Sequence, residues 1–324
     1  MIKVRDLAKT FRSGKQEVAA VRGVSIDVAD GELVGFLGPN GAGKTTTLRM
    51  LATLLRPTSG EAVVAGCDLL SDPAGVRRRI GYVGQGNGAG TDQRVGDELI
   101  TQARLYGMSA ATAKARVTDL LDRYDLSGME QRIVSTLSGG QRRRLDIVMG
   151  VLHQPGLVFL DEPSTALDPQ SRSNLWDHIR SLRDEHETTV FLTTHYLDEV
   201  DALCERILVI DGGTIITEGT PDGLKSEISG DLITLTTDDP AAAAEIAGRL
   251  PGAREIAVDG KVLRVRVPLS STVLPGLLRE LDRVDLAVHE VQTQRPTLDD
   301  VFLTLTGRSL RDADATPDAE DQGE

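Results

Sequence analysis

Cysteine is nearly absent from this chain of 324 residues, and Cys67 and Cys204 stand apart from each other and from any histidine cluster with metal-ligand spacing. That excludes a disulfide framework and a zinc site, and two free thiols fit a reducing compartment. Long apolar runs are missing too. No stretch approaches the roughly 20 uninterrupted apolar residues that a membrane-spanning helix needs, and Met1-Ile2-Lys3-Val4-Arg5-Asp6 lacks the pattern of a secretory signal. The expectation is a protein made and kept in the cytoplasm. Positive charge is in short supply: 36 Lys and Arg face 49 Asp and Glu, a net charge of -13, which argues against a main task of holding nucleic acid. What the chain does have is 40% hydrophobic residues, enough at this length for two domains with sizeable cores.

Its most informative stretch is Gly38-Pro39-Asn40-Gly41-Ala42-Gly43-Lys44-Thr45, followed by Thr46. It has the pattern G-x-x-x-x-G-K-[ST] of a phosphate-binding loop, set between the apolar run Leu33 to Leu37 and a helix starting near Lys44. Gly38, Gly41 and Gly43 permit backbone angles closed to other residues. Successive N–H groups can then turn inward around an anion, helped by the positive end of the helix. Lys44 would pair with the β and γ phosphates and the Thr45 hydroxyl would ligate Mg²⁺. Such a pattern arises by chance in roughly one chain per hundred of this length, so the other segments decide what it means.

Around that loop the chain reads as an α/β domain. Ile2 to Leu7 and Val24 to Val28 alternate like half-exposed strands, and Asp30-Gly31 turns into Leu33 to Leu37. Leu48, Leu51, Ala52 and Leu55 recur at helical spacing until Pro57-Thr58-Ser59-Gly60 stops them. Glu61 to Ala65 and Ile80 to Val83 are short strands, with Gln85 next in a glycine-rich loop. From Val95 to Tyr124 the pattern is helical, an insertion that ends at Leu137-Ser138-Gly139-Gly140-Gln141, where Ser138 caps a helix suited to a second anion. Leu157 to Leu160 is a buried parallel strand ending in Asp161-Glu162-Pro163, at the carboxyl edge where open sheets bind ligands. Neighbouring strand residues point apart, so Asp161 suits Mg²⁺ and Glu162 suits activation of a water. Val190 to Leu192 leads likewise to Thr193-Thr194-His195. Phe11, taken alone, is as suited to packing as to stacking on a base.

In this order the segments resemble the nucleotide-binding cassette of ATP-binding cassette (ABC) transporters over about residues 1–225. Leu137-Ser138-Gly139-Gly140-Gln141 is the most discriminating of the motifs that carry the likeness. The resemblance implies an α/β fold, a P-loop NTPase of ABC type with a RecA-like core, an antiparallel β subdomain and a helical subdomain at about 94–136. It implies that Gly38 to Thr46 bind ATP, that Phe11 stacks on adenine where the family more often has tyrosine, and that Thr45, Gln85 and Asp161 hold Mg²⁺. Glu162 would be the general base, His195 would hold the γ phosphate, and Gln85 would sense it while its loop meets a membrane partner. Ser138, Gly139, Gly140, Gln141 and Asp168 would serve the ATP held between two copies of the chain. Ala166 replaces the glycine common before Leu167-Asp168, and both Glu162 and His195 are present, so a hydrolysing site is expected.

Beyond this first domain, expected over 1–228, the pattern starts again over 229–307. Leu232 to Leu235, a helix at 240–250, Glu255 to Val258, the turn Asp259-Gly260, Val262 to Val267, a helix with Leu274, Leu277, Leu278 and Leu281, and a strand at 286–291 make a ferredoxin-like β-α-β-β-α-β order. Thr297-Leu298-Asp299-Asp300 is a capping box for one more helix, expected to pack on the small domain or on a partner. The acidic tail, 308–324, has the composition of disorder. Pro296 to Leu303 and the run Arg142-Arg143-Arg144-Leu145-Asp146-Ile147 resemble the daunorubicin-resistance type of drug-exporter ATPase subunits. That likeness implies efflux of an amphipathic molecule through separate membrane-spanning permease subunits, with the chain dimerised at the cytoplasmic face of the cell membrane. The alternative is a soluble cassette acting as a nucleotide-gated binding module on ribosomes or nucleic acid. Such proteins usually carry two cassettes or a long coiled-coil insertion.

Overall fold

The computed structural model describes residues 1–14, 16–86, 88–228 and 230–307; the acidic tail expected over 308–324 lies outside them. The chain divides into two compact units, one ending at Glu218 and one beginning at Gly219. In the first, β1 (Ile2–Ser13) pairs with β2 (Gln16–Val28) and β3 (Leu33–Leu37) leads into α1 (Lys44–Leu51). β4 (Ser59–Val64) and β5 (Cys67–Asp68) extend an antiparallel sheet ordered β2-β1-β4-β5. α2 (Pro73–Arg79) and β6 (Ile80–Val83) precede the helical insertion, α3 (Val95–Leu105) and α4 (Ala110–Arg123), which is followed by α5 (Gly139–Val151). Then come β7 (Leu157–Asp161), α6 (Pro169–His186), β8 (Thr189–Thr194), α7 (Leu197–Leu203), β9 (Arg206–Asp211) and β10 (Thr214–Gly219). A six-stranded sheet results, ordered β10-β9-β3-β8-β7-β6.

The centre of that sheet places the site. β3, β7 and β8 are buried at every position, as parallel strands covered on both faces must be. Their parallel register sets Leu37 beside Thr194 and Asp161 beside Thr193, so three strands end together at one edge. Behind that edge, Phe36 and Phe159 both pack on Phe191, with ring centroids 5.6 and 6.0 Å away. Three of the five phenylalanines in an aromatic-poor chain thus support the floor of the site.

Several elements depart from the sequence expectation. α1 ends at Leu51 and does not reach Leu55, because Thr53 takes φ 63 and its hydroxyl accepts from Arg77 at 3.0 Å. α2 is an addition, opened by Asp72, whose carboxylate caps Gly75 N–H at 2.8 Å with Pro73 at the first helical position. The insertion breaks into two helices where Gly107 takes φ 83 and Ser109 starts a new cap.

In the second unit, α8 (Pro221–Ile228), β11 (Asp231–Thr237), α9 (Pro240–Ala247), β12 (Arg254–Asp259), β13 (Val262–Val267), α10 (Ser270–Arg283), β14 (Val288–Gln294) and α11 (Leu298–Thr306) follow in order. The β-α-β-β-α-β portion forms an antiparallel sheet ordered β12-β13-β11-β14, with Ile233, Leu235, Leu263, Val265, Leu277 and Leu281 in its core. β14 sits at Val288–Gln294 where 286–291 was expected. Thr297 and Asp300 cap α11 reciprocally, and its buried face carries Leu298, Val301 and Phe302. The unit starts at Gly219, ahead of the expected 229, because α8 packs against α11.

Candidate active site

β3 delivers the chain to Gly38 at the carboxyl edge of the sheet, and the loop from there to α1 has room only for glycine at two points. A Cβ on Gly38 would lie 2.2 Å from Ile210 O, and one on Gly43, which has φ 101, would lie 2.5 Å from Ala20 O. Asn40, Gly41, Gly43, Lys44, Thr45 and Thr46 line a cavity of about 180 Å³, joined by Ala20, Gln85 and Glu162. Gly38, Pro39 and Ala42 shape it from behind: Ala42 N–H donates to Pro39 O at 3.2 Å, and Ala42 O accepts from Gly213 at 3.1 Å. Lys44 is buried, its ammonium donating to Gly38 O (2.7 Å) and Pro39 O (3.0 Å) and lying 3.5 Å from Glu162 Oε1. α1 begins at this lysine with no acidic residue in its first turn, so its N-terminus keeps its positive potential.

The two carboxylates at the end of β7 have separate surroundings. Asp161 Oδ1 accepts from Thr193 Oγ1 at 2.7 Å and Thr45 Oγ1 at 2.9 Å, and Gln85 Nε2 donates to that same Thr45 oxygen at 3.2 Å. Asp161 Oδ2 is buried without a hydrogen-bond partner among the described residues. Burial raises the Asp161 pKa, against the two threonine hydroxyls that lower it. Glu162 Oε1 sits between Lys44 and His195, whose Nδ1 is 3.4 Å away, while Oε2 accepts from Thr165 Oγ1 at 3.3 Å. Burial alone would raise this carboxyl, but His195 and the Lys44 charge outweigh it and hold the group below the usual carboxylate range. It is therefore ionised at neutral pH. Glu162 also takes φ 46, and its N–H is tied to Thr193 O at 3.0 Å.

Other candidate residues lie elsewhere. Ser138, Gly139, Gly140 and Gln141 form the first turn of α5 and do not line the phosphate cavity. Ser138 Oγ accepts from Gln141 N–H, and Gln141 Oε1 accepts from Ser138 N–H, a reciprocal cap. Asp168 caps α6, accepting from Ser171 N–H (2.9 Å) and Oγ (2.6 Å); a Cβ on Gly140 would come within 2.8 Å of that Oγ, so Ser171 lies between the two loops. Phe11 is 42% exposed, opposite Val18 in the β1–β2 pair and 5.3 Å beneath the Lys9 ammonium, outside the cavity lining. Ala166 takes φ 62, the left-handed region that favours glycine. Ala166→Gly should therefore raise unfolding free energy by about 1 kcal/mol, read from denaturant unfolding; an unchanged or lower midpoint would refute the strain.

Sequence reasoning passed over two residues that organise this site. Thr193 bonds Asp161 through its side chain and Glu162 through its carbonyl. Arg143, almost fully buried, donates to four carbonyls: Gly84 (2.7 Å), Pro163 (2.7 Å), Asp161 (3.1 Å) and Glu162 (3.4 Å). Its only signal in the sequence was its place in the arginine run after Gln141.

A phosphate loop at a helix N-terminus, with one buried carboxylate on its threonine and a second held ionised beside its lysine, defines a P-loop ATPase. Residues 21–165 match the ABC transporter family, and residues 219–306 match the C-terminal domain of ATP-binding proteins like DrrA1-3. The daunorubicin/doxorubicin resistance ATP-binding protein DrrA of Streptomyces peucetius is 42% identical over 94% of this chain and 92% of its own. Nod factor export ATP-binding protein I of Burkholderia orbicola is 38% identical over 90% of this chain and 93% of its own. A solved dimeric ATP-binding cassette in a post-hydrolysis state, bound to ADP and Pi, is 25% identical with a TM-score of 0.63, over 68% of this chain and 98% of that one. The chain belongs to the ATP-binding subunits of ABC transporters, in their daunorubicin-resistance branch, and it binds and hydrolyses ATP.

Proposed function

We propose that this subunit powers the export of a drug, antibiotic or other amphipathic molecule, working as a homodimer against a separate membrane-spanning permease at the cytoplasmic face of the membrane. The observation that carries the reading is the division of the site. Lys44 and Glu162 line one cavity, with His195 Nδ1 3.4 Å from the Glu162 carboxylate, whereas Ser138 to Gln141 lie outside it at the start of α5 and would serve the ATP of a second copy. The dimeric cassette at 25% identity supports that pairing, and the resistance and export relatives support the direction of transport. No helix among the described residues is long and apolar enough to cross a membrane.

Within each site, the loop N–H groups and Lys44 would bind the phosphates, and Glu162 would take the proton from the attacking water. His195 would orient that water and the γ phosphate, and Phe11 would stack on adenine. The residues fit Mg²⁺: Asp161 Oδ2 is buried and unpartnered among the described residues, the Thr45 hydroxyl donates to Oδ1 of that carboxylate, and Gln85 donates to the Thr45 hydroxyl. No group of three or more His, Cys, Asp or Glu among the described residues could hold a metal alone, so the ion would come with the phosphates it shares. Bound there, Mg²⁺ would neutralise charge on the β and γ phosphates. Asp168 would stand at the dimer interface.

A second cavity, about 240 Å³, opens beside the Gln85 loop and is lined by Leu54, Tyr82, Gly84, Gly86, Tyr106 and Met149 among others. Leu54 is 57% exposed and Leu105, next to Tyr106, is 78% exposed. This recess, lined also by Arg77, Gln102 and Asp146, is the proposed seat for a loop of the permease. The test is to express the tagged chain with the reading frames flanking its gene and identify what co-purifies from gently solubilised membranes. A polytopic partner that raises ATP hydrolysis is expected, with Leu54→Glu lowering its recovery about tenfold. Recovery of ribosomes or nucleic acid instead would end the transport reading while leaving the ATPase intact.

A further inference from the structure

At the sheet edge opposite the phosphate loop, the helical insertion and the core do not close on each other. A cavity of about 340 Å³ lies between α4, the turn after α5, the start of β7 and the end of α6. Close-packed interiors leave few voids larger than one water, whereas small-molecule pockets take roughly 300–1,000 Å³. β7 runs from Val158 in the wall of this cavity to Asp161 at the nucleotide site, about 10 Å of strand, so the two sites are distinct. Leu120, Val151, Val158 and Leu182 are buried and give the cavity an apolar surface. Arg116, Arg123, Gln154, Ser181 and Thr188 supply its polar groups, among which there are two guanidiniums and no carboxylate. Arg116 Nη1 donates to Asp119 Oδ2 at 3.2 Å, but the same carboxylate accepts from Arg123 Nε at 3.2 Å through Oδ1. Arg116 Nε and Nη2 reach Leu152 O at 3.4 Å and Val151 O at 3.3 Å, longer than the roughly 2.7–3.2 Å of well-made bonds. The Arg116 side chain is mostly buried, and burial pushes its pKa below the ordinary value against the pull of Asp119. Its charge is therefore desolvated more than it is compensated.

We propose that this cavity binds a small amphipathic monoanion, an apolar body ending in one carboxylate, with Arg116 and Arg123 on the carboxylate and the body against Leu120, Val151, Val158 and Leu182. The planar fork of arginine takes a carboxylate two bonds at a time. One negative charge supplies what the shared Asp119 leaves to Arg116. A phosphate monoester brings close to two, more than that shortfall, and the lining holds no third cation to meet it. The bound anion touches α4 of the insertion and α6 of the core together, so it ties one to the other. The inference goes beyond the transport reading and does not depend on it.

The probe is decanoate, titrated calorimetrically into the full-length chain below its micellar concentration, with decanol and decylamine as neutral and cationic comparisons. Decanoate should bind one to one with a dissociation constant below about 1 mM, at least about tenfold more tightly than either comparison. Arg116→Gln should weaken it about tenfold or more, and so should Ser181→Phe, which fills the cavity from α6. The thermal midpoint of each variant without ligand shows whether it is folded. Saturating ATP should leave the affinity for decanoate within about threefold. Decanol binding as tightly as decanoate, no saturation by about 1 mM, or unchanged binding in a folded variant would overturn the proposal. Displacement by ATP would also overturn it, because the anion would then sit in the phosphate loop. Amide exchange locates the ligand: decanoate should slow exchange over 116–124 and 151–158 together, in wild type and not in Ser181→Phe. Protection confined to other segments would place the anion elsewhere and end the proposal. None of these readings involves a permease or turnover, so failure here is separate from failure of the transport reading.

Discussion

Glu162→Gln is expected to lower ATP turnover by about a hundredfold or more while nucleotide still binds, the range a positioned general base contributes. The amide matches the carboxylate in size, its oxygen can still accept from Lys44 and its NH₂ can donate to the Thr165 hydroxyl, so the φ 46 turn and the loop around it need not move. What it cannot do is accept a proton from water. Asp161, Thr45 and the loop N–H groups are untouched, so ATP affinity should stay within about threefold. Phosphate release and equilibrium nucleotide binding on one preparation separate the two effects. The wild-type pH profile provides an independent check. Lys44 and His195 hold the Glu162 carboxyl below its ordinary pKa, so the catalytic form exists above that lowered value and is lost only as pH falls through it. Turnover should therefore hold down into the ordinary carboxylate range, wherever folding permits. A Gln variant that keeps turnover within tenfold of wild type would move the base elsewhere.

The parts of this site that could be read from the sequence are those where a local backbone demand leaves few residue choices. Gly38 and Gly43 are legible because Ile210 O and Ala20 O leave no room for a side chain; outside the cavity, the cap at Ser138 is legible because a helix start needs an acceptor. β3, β7 and β8 are legible because burial on both faces calls for unbroken apolar runs. Arg143 was not, since its role depends on four carbonyls from two distant segments that only the folded sheet brings within reach. Thr193 escaped for the same reason: its value lies in the register that sets it beside Asp161. The end of α1 was misjudged because apolar periodicity continues through Leu55, while the backbone turns at Thr53 to meet Arg77. Phe11 shows a different limit, since nothing in its local pattern distinguishes an exposed strand aromatic from a packed one.

Lys44→Ala should remove nucleotide binding itself, with ATP affinity falling on the order of a hundredfold, as when one partner of a buried charge contact is truncated. Lys44 is the only side-chain cation among the cavity-lining residues, and the loop N–H groups that remain are neutral donors. The loss reaches the protein without nucleotide too. Gly38 O and Pro39 O lose their buried donor, and Glu162 loses the charge that helps to offset its burial. Its carboxyl should then titrate higher than in wild type, so any remaining turnover falls away at a higher pH as the solution is acidified. Thermal unfolding with and without ATP reads the main effect: wild type gains stability as ATP rises above its dissociation constant, by a mass-action term that needs binding only. In the Ala variant that ATP-dependent rise should vanish at concentrations that saturate wild type. Glu162→Gln should retain it in full, and the contrast between the two variants assigns binding to Lys44 and chemistry to Glu162. Should Lys44→Ala keep the rise, the phosphates are held by the backbone of the loop alone and the lysine acts later, on the charge that develops as the γ phosphate leaves.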